Sequence, residues 1–172
     1  ILSRCQTIRF NPLPILIVTR WLVEHKGFKE EEAYLLASLS EGSPGKALEI
    51  QEEISHVPRE DLLRDLLGLK TLSMEEMEFW SSSLPSQREE LLLMLEVTKT
   101  LLRDLVIVKA VKENPKFIHS DLSQKIEDTA MHWSLASLLK RMEVLHRTTV
   151  AVRAHANTKL ALEAMMISWA EG

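Results

Sequence analysis

From Pro12 onward the apolar residues recur at three- and four-residue intervals, and little interrupts that period: 172 residues contain only five glycines and six prolines. Such spacing lays apolar side chains along one face of an α-helix, whereas a half-buried strand alternates at every second residue. Only residues 7–10, Thr7-Ile8-Arg9-Phe10, alternate convincingly. The chain is therefore expected to be all-α apart from one short strand. With 45% hydrophobic and 27% charged residues it has a globular composition, long enough to bury a core without disulfides or metals.

Local punctuation places the helices. A first helix is expected over 14–26, with Pro14 in the first turn, Gly27 as C-cap, and Leu13, Ile17, Trp21 and Leu22 on one face. A second runs over 29–40, with acidic residues 30–32 near its positive end and Ala33, Leu36 and Ala37 buried, until Gly42. Ser43 caps a third, over 44–56, with Pro44 in the first position and an apolar stripe of Ala47, Leu48, Ile50 and Ile54. Pro58 marks a boundary, because beyond it the helices lengthen and become leucine-rich. Helices are expected over 59–69, 73–82 with a Ser73/Glu76 capping box, and 86–112 with Leu91, Leu95, Leu102 and Leu105. The last of these is apolar on most sides around Val106, Ile107 and Val108, so other helices should enclose it. Asp121 is expected to cap a helix reaching Trp133. Two antiparallel neighbours then follow, one with a stripe of Leu135, Leu138, Leu139, Met142, Leu145, Thr149 and Val152 and with Lys140, Arg141, Arg147 and Arg153 off it, the other over 158–170 behind an Asn157 cap.

Charge and composition exclude several function classes. Acidic residues outnumber basic ones by 25 to 21, for a net charge of -4, so no uniformly basic surface is available to nucleic acid. The single Cys5 forms no internal disulfide and fits a reducing compartment. No apolar run approaches the roughly 20 residues of a membrane helix, so a soluble, cytoplasmic protein with no membrane partner is expected. The opening ILSRCQTIRF has no initiator Met and reads as the interior of a domain.

Candidate chemistry is sparse. His25, His56, His119, His132, His146 and His155 include no pair at the spacing that would set two imidazoles on one helix face, so surface or cap roles and no metal site are expected. Gly42-Ser43-Pro44-Gly45-Lys46 places glycines before a lysine at a helix start, but the nucleotide-binding loop needs four residues between its glycines and a Ser or Thr after the lysine, where Ala47 stands. The bottom-up reading of this stretch is a helix stop followed by a helix cap.

Three stretches, in order, carry a resemblance: Ser3-Arg4-Cys5-Gln6, then Leu39-Ser40-Glu41-Gly42-Ser43-Pro44-Gly45-Lys46-Ala47-Leu48, then Asn157-Thr158-Lys159-Leu160-Ala161-Leu162-Glu163, with Arg103-Asp104-Leu105 as a weaker fourth. Together they resemble the bacterial clamp loaders of the AAA+ superfamily, and among these the delta-prime type of subunit of the DNA polymerase III clamp loader. The resemblance spans essentially the whole chain. It implies the C-terminal edge of a AAA+ core over 1–11, a three-helix lid over 12–56 and a helical collar over 57–172 that joins gamma/tau and delta subunits. The assembled ring would load the sliding clamp onto primed DNA. It also implies that Arg4 is an arginine finger on the ATP of the neighbouring subunit, the one catalytic assignment, and that this chain binds no cofactor of its own. Gly45 stands where ATP-binding relatives carry a nucleotide-sensing arginine, which implies a subunit that does not catalyse by itself. A gamma/tau-type ATPase and an unrelated helical adaptor that binds through residues 101–111 are the alternatives.

Overall fold

The computed structural model describes residues 11–68, 84, 85, 87–111 and 113–170. Arg4, Cys5, the strand expected at 7–10 and the helix expected at 73–82 lie outside them. Among the described residues the chain is all-helical: α1 (Ile15–Lys26), α2 (Glu30–Leu39), α3 (Pro44–Ile54), α4 (Arg59–Gly68), α5 (Arg88–Ala110), α6 (Ser123–Met131), α7 (Leu135–Arg153) and α8 (Thr158–Ala170), with a 3₁₀ turn at Ser120–Leu122 before α6. No described helix is long and apolar enough to cross a membrane. The chain divides into two units, Ile1–Ile50 and Gln51–Gly172, the division falling inside α3.

In the first unit α1 packs on α2. Pro14 sets the start of α1, its carbonyl accepting the Ile17 and Val18 N–H groups at 2.9 and 3.2 Å. Gly27 ends it at φ 74, a left-handed cap that glycine adopts without a Cβ penalty. The buried face of α1 is Val18, Thr19 and Leu22. Leu13 and Ile17, expected on that face, are 42% and 53% exposed. Among the described residues α2 is the main neighbour packed on α1, and it covers the Val18–Leu22 row. Thr19 fits there because its hydroxyl donates to the Ile15 carbonyl at 2.9 Å. On α2, Ala33, Leu36 and Ala37 are fully buried as expected, joined by Leu35 and Leu39.

Gly42 ties the two ends of this pair together. The Leu13 N–H donates to the Gly42 carbonyl at 2.9 Å. Gly42 has φ +82, and a Cβ there would stand 2.5 Å from the Leu13 carbonyl oxygen. Both its backbone angle and the close approach therefore require glycine.

In the second unit α5 is the central helix, packed by α4, α6 and α7. Leu91, Leu95, Leu101, Leu102 and Leu105 are almost completely buried on it. Val106, Ile107 and Val108 are only half-buried, so the described neighbours do not enclose that end. Ser134 caps α7, its hydroxyl accepting the Ser137 N–H at 3.1 Å, and Asn157 caps α8 by accepting the Leu160 N–H at 3.1 Å. α8 runs back along α7, so that Arg141 near the start of one meets Trp169 near the end of the other. Leu162, Met165, Met166 and Trp169 form its buried side.

Three expectations are corrected here. Asp121 does not cap a helix: it lies in the 3₁₀ turn and its carboxylate is taken by Arg59. His119 is fully buried, while the other five histidines are exposed. Arg141 is 2% exposed, not off the stripe, because its guanidinium packs against the rings of Trp133 and Trp169.

Candidate functional site

The residue singled out for catalysis, Arg4, is outside the described residues, so the site is built from the helix start at residues 40–47. α2 ends at Leu39, with the Ser40 N–H on the Leu36 carbonyl at 3.0 Å and the Ser40 hydroxyl on the Ala37 carbonyl at 3.0 Å. Glu41 and Gly42 both take positive φ, 53 and 82, which turns the chain sharply into α3. Ser43 caps that helix: its carbonyl accepts the Ala47 N–H at 3.0 Å and its hydroxyl the Lys46 N–H at 3.3 Å. Serine at this place satisfies backbone donors that the first helical turn leaves open.

Gly45 sits in the first turn of α3 and is exposed. A Cβ added there would meet only the Ser43 hydroxyl, at 3.9 Å, an ordinary contact. The space admits a side chain, so packing does not impose glycine at the position that the resemblance assigns to a nucleotide-sensing arginine. The nearest cation in sequence, Lys46, pairs with Glu41 at 3.5 Å. That pair partly neutralises the helix start, which carries no group of His, Cys, Asp and Glu residues able to hold a metal among the described residues.

A buried polar network in the second unit was not anticipated. Asp104, fully buried on α5, accepts the Ile118 N–H at 3.1 and 2.9 Å and the His119 N–H at 2.9 Å, and it pairs with Arg103 at 2.6 Å. Arg103 also donates to the Lys116 carbonyl at 2.7 Å, so one carboxylate and one guanidinium hold the 116–119 connection against α5. Burial raises the Asp104 carboxyl above its usual 3.8, against the pull of those donors.

His119 continues the network. The Thr100 hydroxyl donates to the Val97 carbonyl at 2.7 Å, which leaves its oxygen to accept the His119 Nε2–H at 2.8 Å. His119 Nδ1 then accepts an Arg59 Nη1–H at 3.2 Å, and Arg59 spends its other donors on Asp121 at 3.1 and 2.7 Å. The partners thereby assign one neutral tautomer. Burial, reinforced by the Arg59 charge and opposed by Asp121, lowers the imidazole from 6.5 to about 4. All the groups are satisfied by one another, and the network ties α4, α5 and the 116–121 connection rather than forming an open reactive centre.

Arg141 is the other buried charge. Its guanidinium lies over the Trp133 ring at 4.0 Å and near the Trp169 ring at 5.5 Å. Nη2 donates to the Trp169 carbonyl at 2.7 Å, while Trp169 Nε1 donates to the Arg141 carbonyl at 3.2 Å. Nε and Nη1 have no acceptor among the described residues. Burial lowers this arginine from 12.5 to about 10, so it stays charged at neutral pH.

The chain matches no family model, no curated protein and no solved structure.

Proposed function

We propose that the chain is the C-terminal part of a delta-prime-type subunit of the DNA polymerase III clamp loader, with a three-helix lid at 12–56 and a collar from 57 onward. The order and separation of the stretches at 3–6, 39–48 and 157–163 carry this reading. Its role is to help assemble, with delta and gamma/tau subunits, the ATP-driven ring that places the sliding clamp on primed DNA. Arg4 completes the neighbouring subunit's ATP site: charge on the transferring γ-phosphoryl is met by planar guanidinium donors, and delivery across an interface couples hydrolysis to assembly. The open space at Gly45 supports the absence of nucleotide sensing in this subunit, since packing at the Cβ does not exclude a side chain and the arginine is missing there.

The test is a reconstituted clamp loader carrying Arg4→Ala in the full-length subunit. Turnover at the one adjoining ATP site should fall by about a thousandfold, the scale of arginine fingers in other NTPases. Unchanged DNA-stimulated ATPase and clamp loading would remove the assignment.

A further inference from the structure

A cleft of about 170 Å³ opens in the second unit between the 53–58 segment and the start of α5. Its walls are apolar, from Val57, Pro58, Pro85, Leu93 and Met94, and Glu53, His56 and Glu90 stand at its rim. Nucleotides and other cofactors occupy pockets of about 300–1,000 Å³, so this one is too small for them. An apolar cavity of about 150 Å³ takes a benzene ring, which sets the scale here at one bulky side chain. Two wall residues are prolines, whose ring-locked φ limits backbone rearrangement at those two positions. Met94 is the adaptable wall, an unbranched side chain that adjusts to the shape of what it meets.

The rim decides the polarity of the occupant. Glu53 and Glu90 are both exposed, and neither carboxylate has an ion-pair or hydrogen-bond partner among the described residues. Two unpaired negative charges beside an apolar hole favour a cation next to an apolar group and disfavour an acidic one. Interface anchors have this form, a large side chain in a desolvated pocket with complementary charge around it. We infer that this cleft is a docking pocket for a partner polypeptide, which inserts one aromatic or large aliphatic side chain flanked by a lysine or arginine. The pocket's chemistry is the same whichever complex the chain belongs to, so it stands or falls separately from the clamp-loader assignment.

The experiment titrates the full chain with acetyl-Arg-Phe-amide and acetyl-Glu-Phe-amide and follows the methyl resonances of Leu93 and Met94. The arginine peptide should shift both and bind about fivefold tighter than the glutamate peptide, the scale of exposed ion pairs. In the double variant Glu53→Gln, Glu90→Gln, which alters only exposed unpaired carboxylates, that preference should vanish while the shifts persist. No shift at any soluble concentration would overturn the pocket, and equal affinity for the two peptides would overturn the charge assignment. Phenethylamine binding as tightly as the arginine peptide would overturn the assignment to a polypeptide.

Discussion

Arg59 and His119 share a hydrogen bond of 3.2 Å in which the guanidinium donates and the imidazole accepts, so a cation and a titratable base are in contact and only the neutral base is tolerated. The groups facing His119 are Arg59, Asp121 and the Thr100 hydroxyl, and Asp104 receives its backbone N–H.

Acid stability follows from that contact. The folded pKa of His119, about 4, lies below the ordinary 6.5, so the unfolded chain binds the extra proton throughout that interval. Stability from this group is complete above pH 6.5 and is lost as pH falls towards 4, by about 3 kcal/mol in all. Asp104, whose pKa is raised by burial, acts with the opposite sign as pH falls towards the ordinary carboxylate range and offsets part of the loss. Urea midpoints measured from pH 7.5 to 4 should decline for the wild type, and His119→Gln should flatten that decline. A wild-type midpoint independent of pH in this interval would contradict the buried neutral imidazole.

Asp104→Asn replaces a carboxylate that accepts three backbone contacts and a guanidinium with a group that offers one oxygen and an N–H₂ donor facing donors. Buried donors left without acceptors cost about 1–3 kcal/mol each. The variant should lose about 2–3 kcal/mol in urea denaturation with an unchanged slope. Arg103→Gln, at the half-exposed partner, should lose less.

The sequence shows helix positions and caps because those are decided within a few residues. Gly27, Ser43 and Asn157 each act on neighbours three to five positions away, and each does what its residue type and place suggest. Burial of His119 is decided by Arg59, sixty positions earlier, and by Thr100, nineteen earlier, which no local pattern registers. A signal for Asp104 was present: a lone acidic residue in the apolar run from Leu101 to Val108 must be satisfied internally if that run is buried. Arg141 also stood at the right spacing, three after Leu138 and four before Leu145. Its charge alone argued for the surface, and Trp133 and Trp169 overrode it. The helix start at 43–47 is legible as a cap, while the role proposed for Arg4 rests entirely on resemblance.

Three glycines make a graded test of backbone strain. Gly42→Ala meets both a left-handed φ and a 2.5 Å approach to the Leu13 carbonyl, and should cost more than about 2 kcal/mol. Gly27→Ala has φ +74 but nothing within 4 Å, and should cost about 1 kcal/mol. Gly45→Ala lies in an unstrained helical turn and should stabilise by about 0.4–1 kcal/mol. Thermal melts of the three variants should fall in that order.

Arg141 separates packing from charge. Arg141→Met keeps an unbranched side chain beside the Trp133 and Trp169 rings and removes the Nε and Nη1 donors, which have no acceptor among the described residues. It should be neutral or stabilising, as when buried charges give way to apolar residues of similar volume. Arg141→Ala empties the space instead and should cost about 2–5 kcal/mol, on the scale of large-to-small core substitutions. If Met destabilised as much as Ala in thermal melts, the guanidinium itself would be what holds the rings.

The bond from the Leu13 N–H to the Gly42 carbonyl closes the α1–α2 hairpin at its base. Unravelling of the first helix from its start must therefore break a link to the turn at the far end of the second. Amide hydrogen exchange at Leu13 becomes a gauge of the whole hairpin: although it lies before the first helical turn, where protection is ordinarily poor, it should exchange at the pace of the buried Leu22 and Leu36 amides.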